Sequence, residues 1–540
     1  MHLIKSLLAA TSLLSFAAAS APAIEIVGNM FFYSNNGSYF PIRGIAYQSD
    51  VANATAGETF SDPLADASAC QRDLPYLLDL KTNVIRVYSV NASLDHSECM
   101  NLFGDNGIYV LLDLSTPATS IIRTDPEWTV DLYDAYTQVI DAFQNYTNVL
   151  GFFAGNEVTN NNTNTDASAY VKAAVRDMKA YIKAKDYRAI PMGYSSNDDA
   201  DTREYIAEYF ACGDTSERAD MYGINMYEWC CDATFQTSGY ADRVAEFQNL
   251  TFIPLFFSEY GCNTCTPRTF TEVNALFSSE MWDVFVGGVV YMYYQEANNY
   301  GLVTIDSNGD VSTLADFTNL QSRMATVSTA TFVASSASAT AISTDFPCPA
   351  SNQTDWQPGS ILPPTPNEAV CQCVSPAAAC VVASSVSSDD YGDLFNYLCS
   401  QISCDGISGD PVTGVYGAFS FCDPEDQLNF LLNMYYEAND KNSAACDFSG
   451  SASINSAPST AAACTSVLKQ AGTDGTGAVT ASVTITANGS GSSGSGAAAS
   501  ASASGSSTGK KNAAGSINSS GLYILGVSLS AMFAGMLVVL

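Results

Sequence analysis

Residues 149–157 read Val-Leu-Gly-Phe-Phe-Ala-Gly-Asn-Glu, and residues 252–261 read Phe-Ile-Pro-Leu-Phe-Phe-Ser-Glu-Tyr-Gly. Each is an apolar, aromatic run too short for a typical helix, closing on polar residues that include a carboxylate. Six more runs of this kind lie at 40–48, 84–90, 109–115, 189–196, 221–229 and 289–295. Longer amphipathic stretches separate them, such as 167–185 with Tyr170, Ala174, Met178 and Tyr181 at helical spacing. Eight buried strands alternating with helices predict an α/β fold, a (β/α)8 TIM barrel. An open doubly wound sheet is the competing arrangement, but no glycine-rich phosphate loop follows the first strand.

Barrel enzymes carry their working residues at the C-terminal ends of the strands. Those ends supply Tyr47, Gln48, Arg86, Tyr88, Asp113, Asn156, Glu157, Ser195, Ser196, Asn197, Asn225, Tyr227, Glu228, Glu259, Tyr260, Tyr291 and Tyr293. Composition narrows what they do. The 540 residues include 21 Lys+Arg against 55 Asp+Glu, a formal charge of −34, which repels phosphate backbones and argues against nucleic acid. Only two histidines occur, His2 and His96, so a Ser-His-Asp triad has almost no material. The 16 cysteines are an even set suited to disulfides, and paired thiols bind no metal, so no metal site is expected. Carboxylate chemistry remains. Retaining glycoside cleavage uses two carboxyl groups about 5–5.5 Å apart. Strands four and seven lie on opposite sides of a barrel mouth, so Glu157 and Glu259 can flank a sugar. Apolar neighbours Phe152 and Phe153 favour a protonated Glu157, and Asn156 can bond a sugar 2-hydroxyl.

The strings Ile42-Arg-Gly-Ile-Ala-Tyr-Gln48, Asn83-Val-Ile-Arg-Val-Tyr-Ser89, Gly155-Asn-Glu157, Gly223-Ile-Asn-Met-Tyr-Glu-Trp-Cys230, Phe256-Phe-Ser-Glu-Tyr-Gly-Cys262 and Val290-Tyr-Met-Tyr293 together resemble glycoside hydrolase family 72, the fungal β-1,3-glucanosyltransferases. The resemblance implies Glu157 as acid/base and Glu259 as nucleophile. It places Gln48, Tyr88, Asp113, Asn156, Tyr227 and, by spacing, Tyr291 along the donor and acceptor sites. It implies cleavage of an internal β-1,3 bond, transfer of the new end to another glucan's non-reducing end, and no cofactor. An endo-β-1,3-glucanase and an inactive wall lectin are the competing functions. The family also suggests the pairs Cys70–Cys99 and Cys212–Cys348, leaving Cys230 and Cys231 to join Cys262 and Cys265 in either order.

Residues 1–23 have the form of a secretory leader, placing the barrel and its wrap at 24–348. A linker at 349–370 leads to a small, mainly helical module at 371–464. That module holds Cys371, Cys373, Cys380, Cys399, Cys404, Cys422, Cys446 and Cys464 and resembles the family 43 carbohydrate-binding module. Among its aromatics, Tyr416, Phe419, Phe421, Tyr435 and Tyr436 are candidates for either sugar contact or core. A Ser/Gly/Ala-rich spacer, 465–512, precedes a tail at 513–540 that ends in an uncharged apolar run. Small residues, polar spacer and apolar end match a glycosylphosphatidylinositol signal better than a transmembrane helix, with Asn512 as anchor and Ser506, Gly509 or Gly515 as rivals. Sequons at Asn36, Asn53, Asn91, Asn145, Asn161, Asn249 and Asn352 suit an exported glycoprotein. The expectation is a monomer on the outer leaflet of the plasma membrane, with passage to the wall left open.

Overall fold

The computed structural model describes residues 21–50, 60–250, 252–328, 330–337 and 346–481. Eight parallel strands close one barrel: β1 (Ile42–Ala46), β2 (Val84–Val87), β3 (Tyr109–Asp113), β4 (Val149–Asn156), β5 (Met192–Ser196), β6 (Met221–Met226), β7 (Leu255–Tyr260) and β8 (Phe285–Val290). Eight helices follow them in turn: α1 (Ala67–Asp79), α2 (Ser97–Asp105), α3 (Val130–Phe143), α4 (Ala167–Ala184), α5 (Arg203–Ala211), α6 (Tyr240–Phe247), α7 (Glu272–Leu276) and α8 (Ala315–Met324). This is the expected (β/α)8 fold. Residues 1–20 of the expected leader with His2, the sequon at Asn53, the spacer beyond residue 481, and the anchor site Asn512 with its tail lie outside the described residues.

The strands are buried on both faces, as parallel strands under helices must be, so their sequences read as continuous apolar runs. The eighth strand corrects the sequence expectation: it occupies Phe285–Val290, not 289–295. Gly287 and Gly288 weaken the strand signal where the strand actually runs, while the aromatics after it belong to the loop above. Gly287 sits at the seam where β8 meets β1, with φ +109°, and a Cβ there would lie 2.2 Å from the Ile42 carbonyl oxygen. A hairpin of Ile24–Val27 and Met30–Tyr33 plugs the lower end. Its Phe31 meets Phe256 edge-on, and Phe256 stacks on Phe153 inside the barrel. Ala21 and Pro22 are tied in by their carbonyls, which accept from Thr147 and Tyr109.

Residues 349–370 are a packed strap, not a free linker. Trp356 is fully buried against Tyr205 and Tyr209, and the Tyr209 hydroxyl donates to the Gly359 carbonyl. The strap delivers the chain to the module, whose longer helices are α9 (Tyr391–Gln401), α10 (Pro424–Ala438) and α11 (Ala462–Ala471). The module runs past 464 to at least 481, because α11 and the turn after it complete its core through Val467, Ala471, Val479 and Ala481. It docks on α3 and α4: the Val130 amide donates to the Phe421 carbonyl at 3.0 Å, Thr365 donates to Asp177 at 2.6 Å, and Tyr170 meets Tyr416 edge-on.

Every described cysteine is paired. The barrel bridges are Cys70–Cys99, Cys212–Cys348, Cys230–Cys262 and Cys231–Cys265; those of the module are Cys371–Cys422, Cys373–Cys464, Cys380–Cys446 and Cys399–Cys404. Trp356→Ala removes the largest side chain by which the strap grips the barrel. It should lower unfolding stability by about 3–5 kcal/mol, the range for a large aromatic truncated in a core. Guanidinium unfolding of the oxidised protein reads this loss; a shift below 1 kcal/mol would mean that the strap is not part of the folded unit.

Candidate active site

The site is built around Arg86, an arginine in the middle of an otherwise apolar strand. On β2 it points into the barrel and is completely buried. Its Nε and Nη2 reach the two carboxylate oxygens of Asp113 at 3.2 and 3.0 Å. Nη2 also donates to Asn156 Oδ1 at 2.8 Å, and Nη1 to Glu259 Oε1 at 3.3 Å and the Ser258 carbonyl at 3.2 Å. The guanidinium lies 4.5 Å from the Tyr88 ring centroid and 4.9 Å from that of Phe153. A planar cation with five donors suits such a junction, because each N–H meets an acceptor and its faces meet rings.

Glu259, at the end of β7, receives three donors: Arg86, the Tyr88 hydroxyl at 2.9 Å on Oε1, and the Tyr227 hydroxyl at 2.8 Å on Oε2. Glu157 follows β4 with φ +49°, a left-handed turn that brings its carboxyl to the Asn225 amide at 2.6 Å. Its backbone is held at both ends, the amide by the Ser195 carbonyl and the carbonyl by Arg123. Register shifts interrupt the ladder between Phe153 and Asn156 on β4 and between Ile224 and Asn225 on β6. Such bulges re-aim side chains at strand ends, here those of Asn156, Glu157, Asn225 and Glu259.

Burial pushes both glutamates above the ordinary carboxylate range, Glu259 to about 7, and the neighbouring Glu157 charge adds to the rise at Glu259. The pair therefore holds a proton that two solvated carboxylates would have lost, and it titrates as a pair. Three donors, one of them cationic, favour charge on Glu259, whereas Glu157 receives one neutral amide and a more distant Arg123 charge. Two buried carboxyl groups that hold one proton between them are the arrangement that carboxylate glycosidase chemistry uses.

The other expected residues divide by what their side chains touch. Tyr88 and Tyr227 bond Glu259, and Tyr291 meets both of their rings edge-on, so all three reach the site. Asn156 accepts from Arg86, Ser195 and Asn225 through Oδ1, leaving its Nδ2 donating to none of the described residues. Asp113 is turned onto Arg86. Gln48 is buried, accepting from the Tyr88 and Ser89 amides while donating to the Ser61 carbonyl, so it shapes the β2 loop. Tyr293 is buried away from the site on Asp73. His96 bonds Asp62 and packs on Phe143.

Arg86, Ser195 and Asn225 stand among the strand-end candidates but outside the set the resemblance implies; Ser258, Arg123 and Tyr300 are in neither. Arg86 had a signal, a cation at an inward position of a strand, and Asn225 had one in its strand-end position. Arg123 and Tyr300 lie on loops, where nothing in the sequence gives direction. Beside the site, Arg203 and Arg243 hold Asp198, Glu228 and Glu246 together next to Tyr227. Burial and Asp198 push Glu228 up to about 8.

The family model described as glucanosyltransferase, glycoside hydrolase family 72, matches residues 13–328, and that of the X8 domain matches residues 378–453. Protein EPD1 of Candida maltosa is 56% identical over 477 residues, covering 88% of this chain and 86% of its own. The 1,3-beta-glucanosyltransferase gas1 of Schizosaccharomyces pombe is 50% identical over 475 residues, covering 88% and 86%. The solved structure of Saccharomyces cerevisiae Gas2p in complex with laminaritetraose and laminaripentaose matches with a TM-score of 0.74 at 42% identity, covering 84% of this chain and 98% of that one.

Two substitutions should move the Glu259 titration in opposite directions. A hydrogen bond to the ionised form lowers a pKa, so Tyr88→Phe raises that of Glu259, by about one unit for a bond of about 1.5 kcal/mol. Glu157→Gln removes a neighbouring negative charge and lowers it. Carboxyl 13C titration of glutamate-labelled protein measures both, and shifts of the same sign would contradict the assigned contacts.

Proposed function

The chain belongs to the glucanosyltransferases of glycoside hydrolase family 72, and from that membership we propose that it lengthens β-1,3-glucan by a double displacement at Glu259 and Glu157. The observation that carries the roles is the asymmetry of the pair: three donors on Glu259 and one neutral amide on Glu157. Glu259 attacks the anomeric carbon of an internal glucose as Glu157 protonates the departing oxygen, giving a glucosyl ester and a free chain. The 3-hydroxyl at the non-reducing end of a second glucan then loses its proton to Glu157 and displaces Glu259. Two inversions retain the β configuration. Tyr88, Tyr227 and Arg86 hold the nucleophile ionised and aimed; as charge leaves Glu259 in the first step, the same donors release it without having to reorganise.

The Asn156 amide suits the sugar 2-hydroxyl oxygen of the glucose under attack. Tyr291 and Tyr300, packed edge-on with Tyr227, offer ring faces to the neighbouring glucose units. Transfer in place of hydrolysis requires the acceptor to be held where water would otherwise attack. The leader, Asn512 as lipid attachment site, the Ser/Gly/Ala spacer and attachment to the outer face of the plasma membrane belong to the same reading, which the export-type sequons and the full set of disulfides support. The sequon asparagines Asn36, Asn91, Asn145, Asn249 and Asn352 are exposed. A monomer serves this chemistry, since both glutamates and all their donors come from one barrel.

Glu157→Gln and Glu259→Gln should each cut transfer by at least about 10³-fold without moving the thermal midpoint, as a group forming or cleaving the bond requires. Product-length analysis with reduced laminari-oligosaccharides reads this: the unsubstituted protein makes longer chains and both variants make none. Azide separates the roles. It reacts with the glucosyl ester without general-base help, so it rescues Glu157→Ala with a β product, whereas Glu259→Ala gives an α product. Elongation by either glutamine variant would end the assignment.

A further inference from the structure

A second buried guanidinium lies in the loop between β7 and α7. Arg268 is 2% exposed. Its Nη1 donates to the Tyr291 carbonyl at 2.6 Å and to the Gly261 carbonyl at 3.2 Å, and its Nη2 to the Tyr300 carbonyl at 2.6 Å. Nε donates to Asp316 of α8 at 2.6 Å, and the Arg268 amide to the other oxygen of that carboxylate at 3.0 Å. The guanidinium stands 4.7 Å from the Phe270 ring centroid and 5.6 Å from that of Tyr300. Asn319, also on α8, donates to the Arg268 carbonyl at 2.7 Å. Gly261 has φ +112°, and a Cβ there would stand 3.1 Å from Nη1, so the cation is seated against bare backbone.

We propose that Arg268 is a positioning residue of the glucan reaction: anchored on Asp316, it sets where Tyr291 and Tyr300 present their rings to the glucose units beside the cleavage point. This rests on the glucan reading above. A backbone carbonyl can be satisfied by any N–H or by water, so capping alone does not call for a cation. A guanidinium is a rigid planar fork, and one that grips three carbonyls fixes their segments relative to one another. Gly261 lies two residues past Glu259, Tyr291 directly after β8, and Tyr300 at the far end of the loop that follows. Tyr291 and Tyr300 are both half-buried, with ring centroids 5.2 Å apart, and both meet Tyr227 edge-on. Among the described residues, no Arg268 bond reaches Glu157 or Glu259. Arg86 favours charge on the nucleophile; Arg268 orients the rings around it.

The fork is itself held from two sides. Asp316 and Asn319 fix it to α8, and Cys265, three residues before it, is bridged to Cys231 in the loop after β6. Bonds from a charged donor are stronger than neutral ones, and here they act out of water. The direction of Tyr300, which lies on a loop, is thereby tied to the barrel and not to solvent-exposed turns.

The test uses the full chain, with laminari-oligosaccharides as donor and acceptor. Arg268→Lys keeps a charge for Asp316, but a single ammonium cannot reproduce the planar fork that spans three carbonyls. It should raise KM by roughly tenfold with kcat within about twofold of the parent, the mark of lost binding and not of lost chemistry. The pH limbs of kcat should stay in place, because both glutamates keep their neighbours; a loosened barrel mouth would move them. Joined to Tyr291→Ala and Tyr300→Ala, Arg268→Lys should add less than about twofold, since a residue that acts through the rings then has nothing to act on. Asp316→Asn frees the same guanidinium from its other side and should raise KM less, in the same pattern. A parental KM in Arg268→Lys, or a rise that multiplies with that of the tyrosine pair, would overturn the inference. So would failure of both Arg268→Lys and Asp316→Asn to fold, because the guanidinium would then serve the barrel and not the rings. A parental KM in the Tyr291→Ala, Tyr300→Ala chain would overturn it by a different route, by removing the ring reading on which it rests.

Discussion

A guanidinium with no solvent exposure organises this molecule. Removing a cation from water costs several kcal/mol even after relaxation, and the cost is met only when every donor finds an acceptor. Arg86 therefore dictates what surrounds it: Asp113 on the next strand, Asn156 at the end of β4, and Glu259 with the Ser258 carbonyl on β7. These acceptors come from strands on both sides of the barrel. Loss of any one leaves a buried charge or a buried donor unanswered, so folding and the alignment of Glu259 are the same event at this point. The same contact favours charge on Glu259, as do the Tyr88 and Tyr227 hydroxyls.

Much of this was legible in the sequence, and the part that was not has a physical reason. Continuous apolar runs ending on polar residues identify parallel strands, and seven of the eight fall where those runs are. The eighth does not, because Gly287 fits a close backbone approach at the β1 seam, Gly288 fits beneath the Phe257 and Tyr260 side chains, and neither says anything in hydropathy. Site residues were legible as members of strand ends but not in direction. Gln48 and Asp113 are the right residue types in the right places, yet one is turned into a loop and the other onto Arg86. A period of two residues says which face a strand residue occupies; only the twist, the bulges and the packed neighbours say what it meets. The strap shows the same limit: a Pro- and Ser-rich stretch reads as linker, and a single tryptophan makes it part of the core.

The loops over the site are fixed more firmly than surface loops usually are. Cys230–Cys262 and Cys231–Cys265 join the segments that follow β6 and β7, the strands bearing Tyr227 and Glu259. Arg203 and Arg243 bind the carboxyls of Asp198, Glu228 and Glu246 just beside Tyr227. Five charged groups with three acids to two bases favour retention of a proton, consistent with the raised Glu228. A phenol that must hold a nucleophile at 2.8 Å through a full catalytic cycle needs such support, because a hydrogen bond weakens steeply when its donor drifts.

The choice between transfer and hydrolysis is a problem of positioning. The glucosyl ester reacts with whichever hydroxyl arrives in line, and water is present at about 55 M in bulk, far above any polymer end in solution, so only preorganised binding can reverse the preference. Ring faces at Tyr291 and Tyr300 can align one or two glucose units, but they do not raise the number of chain ends nearby. The module beside the barrel is held in one position: the Val130–Phe421 bond, the Asp177–Thr365 bond and the buried Trp356 fix it. On a flexible tether the same module would sample a large volume around the barrel. The packed strap therefore makes barrel and module one folded body, so that the loops of the barrel mouth and the module that docks on α3 and α4 cannot be perturbed independently.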